Sequence, residues 1–161
     1  MSWSSKIYED KLSLNIVANQ WHEEGCKVVF TNGVFDLIHK GHIAYLEEAK
    51  SLGNKLIVGV NSDASVTRLK GKHRPINNQE GRLAVLAGLQ CIDAVVIFEE
   101  DTPLELITTL MPDVLVKGGD YEIADIVGGK EVLANGGKVE KLQFIEGYSS
   151  TKMINKILKN G

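Results

Sequence analysis

Two histidines three residues apart, His39 and His42, flank Lys40-Gly41 in the stretch "TNGVFDLIHKGHIAYLEEAK" at 31–50, where an apolar run gives way to a helical pattern. A zinc site needs at least three protein ligands. Neither Cys26 nor Cys91 is near, and His22 falls on an earlier helical pattern, so no direct protein metal ligand is expected. A capping role suits a lone histidine better than a pair around Gly41. Phosphate explains more, because a helix starting near His42 presents free backbone N–H groups and the positive end of its dipole. Gly41 lets an anion approach the backbone, and two imidazoles can donate hydrogen bonds to its oxygens. Neither GxxxxGK[ST] nor GxGxxG follows the apolar run, so a phosphate cradle here is built differently.

Three further groups carry the same chemistry. In "RLKGKHRP" at 68–75, Arg68, Lys70, Lys72, His73 and Arg74 surround Gly71. Alone this reads as a solvated basic loop; beside a phosphate cradle it neutralises a polyphosphate and can close over it. Arg82 sits early on a helical pattern, where a cation opposes the helix dipole, so an anionic partner or a surface salt bridge is expected there. In "GYSSTK", Ser149, Ser150 and Thr151 open the last helical pattern. They can simply cap it, and the same hydroxyls at a helix N-terminus suit the far end of a polyphosphate.

The elements that must hold these groups follow from periodicity. Apolar runs at 27–31, 55–60, 93–98 and 113–117 are nearly continuous, as in strands buried on both faces, and a fifth run spans 138–144. Helical patterns lie between them at 42–52, 78–90 and 103–110, with others at 5–24, closed by Gly25, and at 149–159. Strands alternating with helices predict a single Rossmann-like, doubly wound α/β domain: a five-stranded parallel sheet with helices on both faces. An N-terminal helical segment covers 1–26 and the sheet-bearing part 27–161. Glycine and polar residues follow every apolar run, so they gather at one edge of the sheet, where such folds bind ligands.

The 161 residues are 43% hydrophobic and 24% charged, with a net charge of −3. That balance gives no broad basic surface for nucleic acid. No apolar leader or 18-residue apolar run occurs, so no membrane partner and a cytoplasmic location are expected. The apolar first helix, outside the sheet pattern, points to a homodimer contact.

"GVFDLIHKGH" resembles the GxFDxxHxGH signature of the cytidylyltransferase-like nucleotidyltransferases, and "YSSTK" is similar to their second motif. The stretches "VNSDASVTRLKGKHRPI", "FEEDTPLELI" and "PDVLVKGGDY" are similar to one group among them, the adenylyltransferase modules of ADP-heptose synthesis for lipopolysaccharide core. The likeness runs from about Lys27 to Leu158. It implies transfer of AMP from ATP to D-glycero-β-D-manno-heptose 1-phosphate, with Mg²⁺ carried on the ATP phosphates. A cytidylyltransferase acting on glycerol 3-phosphate and a nucleotide-sensing module are the alternatives.

By the same resemblance His39, His42 and Lys70 are catalytic. Thr31, Asn32, Gly33, Val34, Phe35, Gly41 and Lys117 line the nucleotide site, and Ser149, Ser150 and Thr151 hold its phosphates. Asp36, which shapes the turn or helps place metal and substrate, belongs to the acceptor side with Asp63, Arg74, Arg82, Gly118, Gly119 and Asp120. The second motif more often reads Ser-Thr-Thr, and Gly81 stands where relatives carry a larger polar residue, weakening the helix start by up to about 1 kcal/mol. Many members of this group are fused to a sugar kinase; here a separate heptose kinase is expected.

Overall fold

A computed structural model describes residues 2–161. Six strands form one sheet: β1 (Ile7–Tyr8), β2 (Val28–Gly33), β3 (Lys55–Asn61), β4 (Ala94–Phe98), β5 (Val114–Gly118) and β6 (Lys138–Leu142). All pair in parallel, in the order β1-β4-β3-β2-β5-β6. The doubly wound α/β architecture is the one periodicity predicts, with one strand more.

The extra strand corrects the N-terminal reading. Helix α1 spans Lys11–Glu23 rather than 5–24, because the Asp10 carboxylate accepts from Ser13 N and the Ser13 hydroxyl faces back in a capping box. That cap stops the helix from running further back, and Ile7-Tyr8 is left to pair with Val95-Val96 at the sheet edge. At the other end Gly25, at φ 78°, lets Cys26 N reach Trp21 O, the closing bond of a Schellman motif.

Helices α2 (Lys40–Ser51) and α4 (Gln79–Ala87) cover one face of the sheet through Leu46, Ala49, Leu83 and Leu86. Helices α1, α5 (Leu104–Leu110) and α6 (Gly129–Ala134) cover the other through Leu14, Ala18, Leu106, Ile107 and Val132. Each fully buried Leu or Ile in these layers contributes about 1.5–3 kcal/mol. Two helices were not legible in the periodicity: α6, and α3 (Asp63–Lys70), which follows β3 directly and is capped by Ser62. Both are short, six and eight residues, and neither opens on the proline that marks the equally short α5. The last helix, α7 (Ser150–Asn160), buries no residue. Among the described residues no helix is long and apolar enough to cross a membrane.

Strand β2 is central. The chain leaves it towards β3 on one side and returns to β5 on the other, so strand order reverses at its carboxyl end. The crevice of a doubly wound sheet opens at that point.

Candidate active site

The backbone beyond β2 is shaped by three anchored residues. Phe35 adopts φ 52°, a left-handed conformation that costs a non-glycine residue about 1–3 kcal/mol unless its surroundings enforce it. Arg82 enforces it from one side by donating to Val34 O at 2.8 Å. Asp36 enforces it from the other: its carboxylate accepts from Ile76 N and Asn77 N and pairs with Arg74 at 2.8 Å. Burial opposes charge on Asp36, but these donors outweigh it and hold its pKa below the usual carboxylate range. Gly33 gives room for the turn, since a Cβ there would stand 2.9 Å from the Phe35 ring.

His39 and His42 then close α2 reciprocally. Gly41 N donates to His39 Nδ1 at 3.1 Å, and His39 N donates to His42 Nδ1 at 3.3 Å. Capping, which the sequence made less attractive for a pair, is therefore what both Nδ1 atoms do. With each Nδ1 accepting, a neutral ring carries its proton on Nε2. The two rings stack with centroids 3.8 Å apart and 25° between planes. The cap thus fixes two parallel imidazoles, each with a donor on the edge away from the backbone. Gly41 is needed for packing as much as for anion approach: a Cβ there would meet the His39 ring at 3.0 Å and Tyr148 at 3.1 Å.

Three adjoining cavities open at this edge, and Val34 lines all of them. The first, of about 390 Å³, holds both histidines, Lys70 and Arg74 against Ser149, Ser150 and Thr151 at the start of α7. The Ser150 hydroxyl donates to Leu37 O at 2.7 Å, tying that helix start to the loop after β2. The second, of about 220 Å³, is aromatic, with Phe35, Tyr45, Tyr121 and Phe144 around Gly118 and Lys117. Gly118 permits it, because a Cβ would overlap the Phe144 ring at 2.2 Å. The third, of about 500 Å³, lies between the ends of β2, β3 and β5 and reaches Asp101 and Asp125. Lys117 lines the second and third. It is half-buried, 5.3 Å above the Tyr121 ring, and burial lowers its pKa. Among the described residues no carboxylate pairs with it, so it is a partly desolvated cation facing a cleft.

Several expected site residues are placed elsewhere. Thr31 is fully buried, its hydroxyl 2.7 Å from Tyr45 OH, and lines none of the three cavities. Arg82, expected to face an anionic substrate, is 1% exposed, and its guanidinium is committed to Asn77 O, Val34 O and Asp63 Oδ1. Asp63 is thereby engaged as well, and Asp36 is an anchor rather than a ligand. Gly119 and Asp120 lie beyond the cavity walls. What the sequence did not single out is the aromatic set, Tyr45, Tyr121, Phe144 and Tyr148, and the carboxylates of the third cavity. Tyr148 could have been noticed inside "GYSSTK"; it lies 6.0 Å from His39, ring to ring.

Burial, together with the charge that His39 would carry, depresses the pKa of His42 to about 4. Between that value and the unfolded value near 6.5 the unfolded chain binds more protons, so stability is complete above about 6.5 and falls as pH drops towards 4. The urea midpoint is expected to decline from pH 7 to pH 5, and less steeply in His42→Gln. Equal slopes in the two proteins would refute a buried neutral His42.

Comparison with known proteins places this site in context. The family model described as cytidylyltransferase-like matches residues 30–156. The chain is 53% identical over 156 residues to a bifunctional protein HldE of Citrifermentans bemidjiense, covering 97% of this chain and 32% of that one. It is 59% identical over 138 residues to the HldE protein of Cronobacter sakazakii, covering 86% and 29%. The chain therefore spans about a third of the length of these relatives. Among crystal structures, the lipopolysaccharide core biosynthesis protein of Thermoplasma volcanium is 31% identical with a TM-score of 0.62, covering 78% of this chain and 100% of that one. Pantoate-β-alanine ligase from Francisella tularensis, at 15% identity and a TM-score of 0.60 over 95% and 77% of the chains, has the same fold.

Proposed function

The chain belongs to the cytidylyltransferase-like family of nucleotidyltransferases, and from that premise we propose that it transfers AMP from ATP to D-glycero-β-D-manno-heptose 1-phosphate, releasing pyrophosphate. The observation that carries this reading is the meeting of three chemically different cavities at Val34. The aromatic cavity suits a base, and the histidine and Ser/Thr cavity suits the β- and γ-phosphates. The third is left for the acceptor. The α-phosphorus then sits at the junction, within reach of the His42, Lys70 and Lys117 side chains that line the cavities meeting there.

The reaction is an in-line displacement. An oxygen of the acceptor phosphate forms a bond to the α-phosphorus, the bond from that phosphorus to the α–β bridging oxygen breaks, and pyrophosphate leaves with the electron pair. A phosphate monoester has its second pKa near 6 and needs no strong base to attack at neutral pH. The protein's part is alignment and preorganised positive potential. The Nε2–H groups of His39 and His42 donate to the leaving pyrophosphate as its charge grows, and the hydroxyls of Ser149–Thr151 hold its far end. Ammonium groups at Lys70 and Lys117 flank the reacting phosphorus.

Magnesium fits as a passenger on the nucleotide. Among the described residues no three His, Cys, Asp or Glu side chains come together as a metal site. Asp36, the one carboxylate lining the phosphate cavity, is already satisfied by Ile76, Asn77 and Arg74. Mg²⁺ would then be held by phosphate oxygens, where it supplies charge neutralisation.

A core-sugar acceptor is supported by the solved relative, a lipopolysaccharide core biosynthesis protein, and by the likeness of "VKGGDY" and "RLKGKHRP" to the heptose group. Pyrophosphate release, measured with each nucleoside triphosphate against heptose 1-phosphate and glycerol 3-phosphate, tests the proposal. Release is expected with ATP and the heptose alone. Release with CTP and glycerol 3-phosphate would overturn the substrate, and nucleotide binding without release on any acceptor would overturn catalysis.

A further inference from the structure

The third cavity divides by charge. Its cations, Lys70 and Lys117, each also line a neighbouring cavity, so both stand at its junctions. Its carboxylates, Asp101 and Asp125, line this cavity and neither of the others. Between them the walls carry no charge: Leu115, Val116 and Ile126 are buried there, and Asn32, Asn61 and Thr102 add polar groups. Asp101 is oriented by Arg68, which pairs with its Oδ1 at 3.0 Å and anchors itself on Glu99 O. Asp125 sits on a short 3-10 turn, Ile123–Asp125, stitched by Asp125 N to Glu122 O and Ile126 N to Ile123 O. Among the described residues nothing hydrogen-bonds or pairs with its carboxylate.

An anion is disfavoured beside the unpaired Asp125 carboxylate, and Asp101, its charge partly offset by Arg68, gives an anion no compensating donor, whereas hydroxyl groups donate charge-assisted hydrogen bonds to both. The charge pattern therefore orients an acceptor: phosphate outward at the lysines beside Val34, uncharged body inward. We propose that this cavity holds the polyhydroxylated body of the acceptor, and that Asp101 and Asp125 read its hydroxyls and reject any acceptor bearing a second phosphate at that end. The inference rests on the sugar-phosphate reading of the reaction and adds the residues that enforce it. Asp101 and Asp125 act here as specificity determinants. They touch neither the reacting phosphorus nor the leaving group.

The test compares the wild type with Asp125→Asn and Asp101→Asn, measuring KM for heptose 1-phosphate and for ATP. Inhibition by mannose 1-phosphate and mannose 1,6-bisphosphate is measured alongside. Expected in Asp125→Asn is an acceptor KM raised about tenfold, the scale of one lost charge-assisted hydrogen bond, with ATP KM within about twofold of wild type. The wild type should prefer the monophosphate over the bisphosphate by about tenfold or more, since like charges are set against each other, and the preference should shrink in both variants. A raised KM for ATP with an unchanged acceptor KM would give the cavity to the nucleotide and overturn the inference. So would unchanged values throughout, or an undiminished preference for the monophosphate. If the wild type turns over a different phosphate ester instead, the heptose reading fails. The acceptor KM of Asp125→Asn on that ester then decides the cavity assignment by the same criteria.

Discussion

Replacing His42 with alanine is expected to lower turnover by about 10²–10³-fold, the usual cost of removing one donor aimed at charge that develops in the transition state. The ring offers such a donor because His39 N occupies its Nδ1 and leaves the proton on Nε2. It also enters the reaction neutral, because burial and the neighbouring His39 lower its pKa to about 4. Losing the cap would separately weaken α2 by about 1 kcal/mol. The two effects are distinguishable: thermal unfolding reads the cap, and single-turnover kinetics at saturating ATP read the donor. Turnover close to wild type would sink the catalytic role, and a loss that merely tracked unfolding would reduce His42 to a cap.

Arg82→Met should cost about 2–3 kcal/mol of stability, the scale of losing hydrogen bonds from a buried charged donor, because its ion-pair partner Asp63 is 40% exposed and keeps water. The guanidinium serves three acceptors at once, Asn77 O, Val34 O and Asp63 Oδ1, at 3.0, 2.8 and 2.9 Å. Methionine fills much of the volume but satisfies none of them, and each of these part-buried acceptors loses a charged donor. With an m-value of about 1–3 kcal/mol/M, the urea midpoint should drop by about 1 M. Activity should fall as well under conditions where the variant stays folded, because Val34 lines all three cavities and is held by this one side chain. A destabilisation below about 1 kcal/mol would show that water or a rearranged loop replaces the guanidinium.

Arg82 also illustrates what a linear reading misses. A cation early on a helix, near other cations and a phosphate motif, is indistinguishable in sequence from a substrate ligand. Burial and partners decide, and both depend on where Asn77, Val34 and Asp63 come to lie. Thr31 was misplaced for the same reason: it stands within the motif stretch, but its side chain turns under the sheet edge onto Tyr45 instead of into the cleft, whereas Asp36 lines the phosphate cavity with its carboxylate committed to the turn. Conversely Phe144 and Tyr121 carry no pattern of their own. They matter because Gly118 leaves room for one and Lys117 lies over the other.

Much was nevertheless determined along the chain. Continuous apolar runs separated by helical periods are compatible with few arrangements other than a doubly wound parallel sheet, since strands buried on both faces need helices on both. The spacing of His39 and His42 placed them in one helix start, and "GYSSTK" placed hydroxyls at another; local hydrogen bonding fixes both. Tertiary structure alone decided that these two helix starts share a cavity, that Arg82 and Asp36 brace the turn between them, and that two carboxylates stand at the far side of Val34. Those relations join residues dozens of positions apart. They follow from the order in which the strands assemble, which no local periodicity encodes.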